Sequence, residues 1–187
     1  MADRAALSYI QTDKGLMDRW MAIEPELFKQ GMRRLTAGVT IITTRFEGER
    51  RGLTATAVCS VSTAPPTLLC CVNRQGWAHD AIVGSGLFAI NVLAAEDHAL
   101  AERFGGAEAG EARFGTGEWD VLDTGAPILK SALVGFDCRL VQTFDGATHS
   151  IFLGEVVAQS VGTGEPLCYL GGTYGSFHDL EALLALR

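Results

Sequence analysis

The chain has 187 residues, of which 48% are hydrophobic and 20% charged, and carries a formal net charge of −7. This length suits one domain with a sizeable core, and an acidic balance without a dense Lys/Arg run makes nucleic acid and anionic membranes poor partners. No apolar run approaches the ~20 residues of a membrane span, and the opening MADRAALSYIQTDKG lacks an apolar core followed by a cleavage site, so a cytoplasmic protein is expected.

Five cysteines occur, at Cys59, Cys70, Cys71, Cys138 and Cys168. Their number is odd, no CxxC is present, and each lies in an apolar, strand-like run. Buried free thiols in a reducing compartment are expected. No His/Cys/carboxylate group has metal-ligand spacing, so no metal site is expected.

Residues 1–24 read as an N-terminal extension and residues 25–187 as the domain. Leu16, Met17, Trp20 and Met21 form an apolar cluster within the extension. A helix is predicted over residues 25–37, with Pro25 in its first turn, an apolar face through Leu27, Phe28, Gly31, Met32 and Leu35, and a stop at Gly38. Residues 39–44 are β-branched and predict a strand; residues 46–50 form a polar turn with Gly48.

The next stretch, RGLTATAVCSVSTAPP at residues 51–66, splits into two faces at the strand period. Thr54, Thr56, Val58, Ser60 and Ser62 make a mostly hydroxyl face. Leu53, Ala55, Ala57, Cys59 and Val61 make a face of little bulk, open to close approach by a backbone or a flat ring. Pro65-Pro66 ends the run. Such a strand suits a planar ligand with polar edges; it equally reads as an amphipathic strand with a solvated face.

Residues 67–72 are fully apolar and predict a central strand. A turn at residues 73–76 precedes a short helix at 77–83, a strand at 87–93 and a helix at 95–104. Residues 105–125 form a long glycine-rich segment of the kind that is usually functional or mobile. Two long strands, 132–144 and 149–159, flank an Asp145-Gly146 turn. A short strand at 167–170 and a helix at 177–186 follow. The balance is strand-dominated and argues for a closed antiparallel barrel; no strand–GxGxxG–helix unit marks a Rossmann domain.

GLTATAVCSVSTAPPTLLCCVNR at residues 52–74 resembles the signature segment of the flavin reductase family, the short-chain NAD(P)H:flavin oxidoreductases with an FMN-binding split barrel. FKQGMRRLTAGVTIITT (28–44), SGLFAINVLA (85–94), the region of Arg113, Phe114 and Trp119, residues 127–138 and PLCYLGGTYGSF (166–177) continue the resemblance in order. It implies an antiparallel split β-barrel that works as a homodimer with flavin at the subunit interface, and NAD(P)H-dependent reduction of FMN or FAD for a separate flavin-dependent monooxygenase. Nothing in the sequence separates FMN from FAD or NADH from NADPH. The rivals are an FMN-binding electron carrier, a non-catalytic flavin-binding protein on the same barrel, and a relative of pyridoxamine-phosphate oxidase; the last needs more basic residues at the phosphate than Arg74 alone.

The resemblance implies that Thr54, Ala55, Thr56, Ser60, Val61 and Ser62 line the flavin, with Asn73 and Arg74 at its phosphate end. Arg74 opens a turn before a predicted helix, a setting that favours an anion. After Arg74 the family commonly carries Ser/Thr, whereas this chain has Gln75, Gly76, Trp77 and Ala78. Trp77 either stacks on a cofactor ring, such as an adenine, or anchors the short helix in the core. His79 either reaches a phosphate or faces solvent. The family often shows Gly-Asp before its site histidine; here Ala147-Thr148 precede His149. His149 is either the positioning residue beside flavin and nicotinamide or an ordinary strand-end histidine. Tyr174 matches a position near the flavin or closes the barrel, and Phe114 and Trp119 are candidates to cover the site.

Overall fold

Thr40, Ile41, Ile42, Thr43 and Thr44 are β-branched and stiff at χ1, which favours extended backbone. They form the heart of β2 (Thr40–Phe46) in the computed structural model, which describes residues 23–106 and 110–184. Alternation sends neighbouring side chains to opposite faces. Ile42 accordingly joins one buried cluster, with Phe88, Ile90, Phe152, Val72 and Cys138, while Ile41 joins a second, with Leu93, Leu100, Phe104, Phe114 and Leu129.

The chain divides into two compact units, Met1–Arg34 and Leu35–Arg187. The described part of the first is helix α1 (Pro25–Met32), with Pro25 in its first turn and a Lys29–Glu26 ion pair at 2.7 Å. The helix stops short of the predicted residue 37 because Ala37 and Gly38 form strand β1 (Ala37–Gly38), paired with Tyr169 and Cys168. The apolar cluster at Leu16–Met21 lies outside the described residues.

In the second unit, β3 (Glu49–Ala55), β4 (Val58–Thr63), β5 (Pro66–Asn73), β6 (Leu87–Val92), β9 (Val134–Gly146) and β10 (His149–Val161) join β2 in a seven-stranded antiparallel sheet of order β3-β2-β6-β9-β10-β5-β4. The short β7 (Trp119–Val121) and β8 (Pro127–Leu129) pair with each other, and β11 (Leu167–Leu170) joins β1 and β12 (Thr173–Ser176). Helices α2 (His79–Ser85), α3 (His98–Gly105) and α4 (Leu180–Leu184) complete the unit. Mainly antiparallel β structure with short helices is what the sequence led us to expect.

Closure comes from the residues 51–66 stretch. It forms both edges of the sheet, β3 and β4, with Thr56 and Ala57 between them, and the Cys71 N–H donates to the Ala57 carbonyl at 3.0 Å. The single strand with two unbroken faces is thus corrected. The chain exchanges one pairing partner for another at Thr56-Ala57, so Leu53, Ala55 and Val58 reach the same core despite their odd and even numbers. A further register shift lies between Ser60 and Ser62. Strand β5, expected to be central, is next to the edge.

The turn at Glu47-Gly48 is where the sequence puts it. Both residues have positive φ, 52° and 83°, as a two-residue hairpin loop of matching twist requires. The Asp145-Gly146 turn is displaced by two residues. Gly146 pairs with His149, the loop is Ala147-Thr148, and Asp145 Oδ1 accepts the Ala147 N–H at 2.9 Å. The Asp caps the turn instead of occupying it.

The glycine-rich segment is pinned. Arg113 is buried and donates to the carbonyls of Gly52 (2.7 Å) and Gly106 (2.8 Å). Phe114 packs edge-on to Phe104, with ring centroids 5.0 Å apart, and Trp119 packs against both. These rings sit in the second core cluster and do not cover the cavity described below. Glu111 pairs with Arg50, whose hydrogen bond holds the Glu111 carboxyl below the usual range.

Candidate active site

A cavity of about 540 Å3 opens beside the closure seam, a volume ordinary for small-molecule sites. One wall is the β3 end and its continuation, Leu53 through Ala57; facing it across the seam are Cys71 and Asn73 of β5. His149, Gly105, Val39 and the pair Tyr169 and Tyr174 complete the lining.

Each wall is set by local bonding. The Thr54 hydroxyl donates to the Ala101 carbonyl at 2.7 Å, which ties β3 to α3 and leaves its oxygen lone pairs for a ligand. The Thr40 hydroxyl donates to the Ala55 carbonyl at 2.8 Å. Ala55, Ala57 and Gly105 contribute almost no bulk, so a flat ring can lie against backbone there. Tyr169 and Tyr174 face each other across the β11–β12 hairpin, edge to face at 5.2 Å between centroids. The glycines of its loop, Gly171 and Gly172, have φ of 63° and 93°. Desolvation, then Glu102, then Tyr169 push the Tyr174 phenol above its ordinary pKa. It therefore remains a hydrogen-bond donor throughout the neutral range.

At the opposite rim, His149 and Asn73 are register partners. The His149 Nδ1 lies 2.9 Å from the Thr148 hydroxyl. Asn73 Oδ1 accepts the Gln75 N–H at 2.9 Å, which leaves the amide hydrogens on Nδ2 for a ligand. Arg74 follows, with Nη1 3.2 Å from Asp145 Oδ1 and 3.4 Å from the Ala147 carbonyl. An incoming anion would compete with Asp145 for this guanidinium.

Of the sequence-derived site residues, Thr54, Ala55, Thr56, Asn73, His149 and Tyr174 line one cavity. Arg74 adjoins it. Ser60, Val61 and Ser62 do not line it; they are exposed on the β4 edge, and the Ser62 hydroxyl accepts the Ala64 N–H at 3.1 Å. His79 is buried, with Nε2 2.8 Å from the Ser150 hydroxyl, Nδ1 2.8 Å from Asp80 and its ring 5.5 Å from that of Phe152. Both ring nitrogens are engaged, so it neither faces solvent nor has a nitrogen to spare for a phosphate. Trp77 is 57% exposed, which rules out the core-anchor reading.

Leu53 and Ala57, read from the sequence as part of a low-bulk face open to a flat ring, do line the cavity, whereas sequence reasoning missed Cys71, Gly105, Val39 and Tyr169. Tyr169 was within reach: a strand, Gly-Gly and a second tyrosine five residues on describe a hairpin that pairs the two rings. Among the cysteines, Cys59 is exposed, against expectation, while Cys70 and Cys138 are buried. Burial, with like charge from Cys138 and then Cys71 acting on Cys70 and from Asp137 acting on Cys138, raises both thiols, Cys138 to about 12; neither is a poised nucleophile. No group of metal-capable side chains forms among the described residues.

The flavin reductase like domain profile matches residues 32–178. FMN reductase (NADH) RutF of Agrobacterium fabrum is 46% identical over 148 residues, covering 79% of this chain and 85% of that protein. Among solved structures, Streptomyces globisporus NADH:FAD oxidoreductase SgcE6, in complex with NAD and FAD fragments, superposes with a TM-score of 0.78 at 28% identity, covering 86% of this chain and 99% of that one. BorF, the flavin reductase component of a bacterial two-component tryptophan halogenase, gives 0.77 at 27% identity, over 83% and 99% of the two chains.

Proposed function

This chain belongs to the flavin reductase-like domain family, and we propose that it is an NADH-dependent FMN reductase that supplies reduced flavin to a separate monooxygenase. The observation that carries the reading is the cavity itself: a low-bulk wall of Ala55, Ala57 and Gly105 beside Thr54, Thr56, Asn73, His149 and Tyr174. A flat ring with polar edges fits that donor set. FMN bound there supplies a ring that accepts two electrons as hydride from the reduced nicotinamide.

The chain's own work is binding and orientation. Backbone and hydroxyls at Thr54–Thr56 and the Asn73 amide meet the ring edge, where negative charge builds on reduction. The neutral Tyr174 phenol offers another donor, and its ring with Tyr169 walls off water. His149, held through Nδ1 by Thr148, positions the nicotinamide at the cavity rim; no acid, base or nucleophile is needed. Arg74, adjoining Asn73, takes the phosphate in exchange for Asp145. Ser60, Val61 and Ser62 on the β4 edge, with exposed Val141, Phe144 and Leu170, offer surface to a second copy, so we read the working form as a homodimer in which they approach a flavin site. No helix among the described residues is long and apolar enough to cross a membrane, and we place the protein in the cytoplasm, where NADH is.

The test is NADH oxidation in air by the purified protein, with and without added FMN. Turnover that rises and saturates with FMN supports the reading; bound flavin without turnover points to a carrier or binding protein. In the same assay, His149→Ala is expected to lower kcat/KM for NADH about tenfold to a hundredfold while the dissociation constant for FMN, read by flavin fluorescence, moves far less. Equal losses in both would make His149 a flavin ligand instead.

A further inference from the structure

Trp77 and Arg51 extend the cavity's seam by one more step. Ala57 lies opposite Cys71 and Val58 opposite Cys70. Before Thr56 the chain pairs with β2 instead, yet Arg51 still reaches the segment after β5: its guanidinium carbon lies 6.0 Å from the Trp77 ring centroid. Arg51 stands two residues from Leu53, on the same strand face, about 7 Å along the strand from the cavity wall. Trp77 follows the turn that Asn73 begins, where the Gly76 N–H donates to the Asn73 carbonyl at 2.9 Å.

Resting on the reductase reading above, we propose that the Arg51–Trp77 pair is a subsite for the adenosine diphosphate moiety of a dinucleotide, at the end of the flavin cavity. Three observations favour this. The indole is 57% exposed, four residues along the chain from the cavity-lining Asn73, and an exposed aromatic face suits a planar ring. FMN has one such plane, which the cavity takes; the adenine of NADH or FAD is the remaining one. Second, the guanidinium at 6.0 Å leaves almost a slot: a base sandwiched between two planes needs about 3.5 Å on each side, so Arg51 has about 1 Å to yield. Third, Arg51 Nε is shielded from solvent with no hydrogen-bond partner among the described residues. Nη2 holds Glu49 Oε2 at 2.5 Å, and that carboxylate is largely exposed. A diphosphate that displaces Glu49 gains a planar, permanently charged fork with an unused donor.

The probe is ADP, titrated by calorimetry into the full-length protein. We expect saturable binding that Trp77→Ala and Arg51→Ala each weaken about tenfold or more. Glu49→Gln, which removes the competing carboxylate, tightens it. Trp77 is exposed, so its replacement leaves the core packing intact, and Trp77→Phe restores part of the affinity. Two kinetic ratios identify the source. If the moiety belongs to NADH, the kcat/KM advantage of NADH over reduced nicotinamide mononucleotide collapses about tenfold in Trp77→Ala. If it belongs to FAD, the FAD-to-FMN ratio falls instead. No ADP binding at millimolar concentration, or binding indifferent to both substitutions, overturns the proposal. Failure of the parent to oxidise NADH with FMN, alongside Trp77-dependent ADP binding, would sink the reductase reading and leave this subsite standing.

Discussion

Ala55→Leu is expected to lower flavin-dependent NADH oxidation at least about a hundredfold, with loss of FMN binding, in a protein that stays folded. Ala55 lies on the cavity wall between Thr54 and Thr56, next to the seam. Its carbonyl is fixed by the Thr40 hydroxyl at 2.8 Å and its backbone by pairing with Thr40. The wall therefore cannot retreat, and an isobutyl group there occupies the plane of the bound ring. A displacement of about 1 Å at a hydride-transfer geometry is enough for a hundredfold loss. Overpacking a half-buried site costs about 1–3 kcal/mol, which a domain stable by about 5–15 kcal/mol tolerates. Flavin fluorescence titration reads binding, and far-UV circular dichroism with thermal melting reads the fold. A folded Ala55→Leu protein that titrates FMN like the parent would place the flavin elsewhere.

How much of this site could be read from the sequence depends on how local the determinants are. Thr54 and Ala55, on opposite faces by the two-residue period, both line the cavity where the regular pairing of β3 with β2 ends, and Thr56 follows directly. The same period fails at Ser60 and Ser62, because the chain leaves β2 for β5 at Thr56-Ala57 and shifts register again before Ser62. Exchange of a strand partner is set by barrel closure, a long-range event with no mark in the local pattern. His79 and His149 show a similar split. Both follow turns in matching segments, yet one turns inward to Ser150 and Phe152 and the other stays at the rim. Local sequence could not tell them apart, since the choice follows from whether the space behind each is already filled. Trp77 follows the same logic in reverse: Ala78 and Ile82 fill the core beneath α2, and the indole is left outside. The Asp145-Gly146 signal was sound chemically and displaced in position, because the aspartate serves the turn through its side chain.

Gly154→Val is expected to destabilise the barrel by about 3 kcal/mol or more, the upper end for overpacking, and to lower Tm by roughly 6–12 °C in a chain of this size. Gly154 sits in β10 opposite Leu68 of β5 and Leu140 of β9, at a register shift. A Cβ there would lie 2.3 Å from Phe88 Cζ, 2.9 Å from Phe88 Cε1 and 3.0 Å from Cys138 Cβ. Phe88 is fully buried in the cluster that also holds Ile42, Phe152 and Cys138, so its ring has nowhere to swing. The cost must then be met by moving β10 or β6, and β10 carries His149 at its start. Gly38→Ala makes the contrast, since a methyl there meets nothing within 4 Å; it should change stability by no more than about 0.5 kcal/mol. The clash itself is isolated by a double-mutant cycle with Phe88→Leu, which shortens the ring that collides. The pair should cost less than the sum of the single changes by about 1 kcal/mol or more, the size expected for residues in contact. Additive behaviour would mean that Gly154 is required for the β10 backbone path and not for the space it leaves to Phe88.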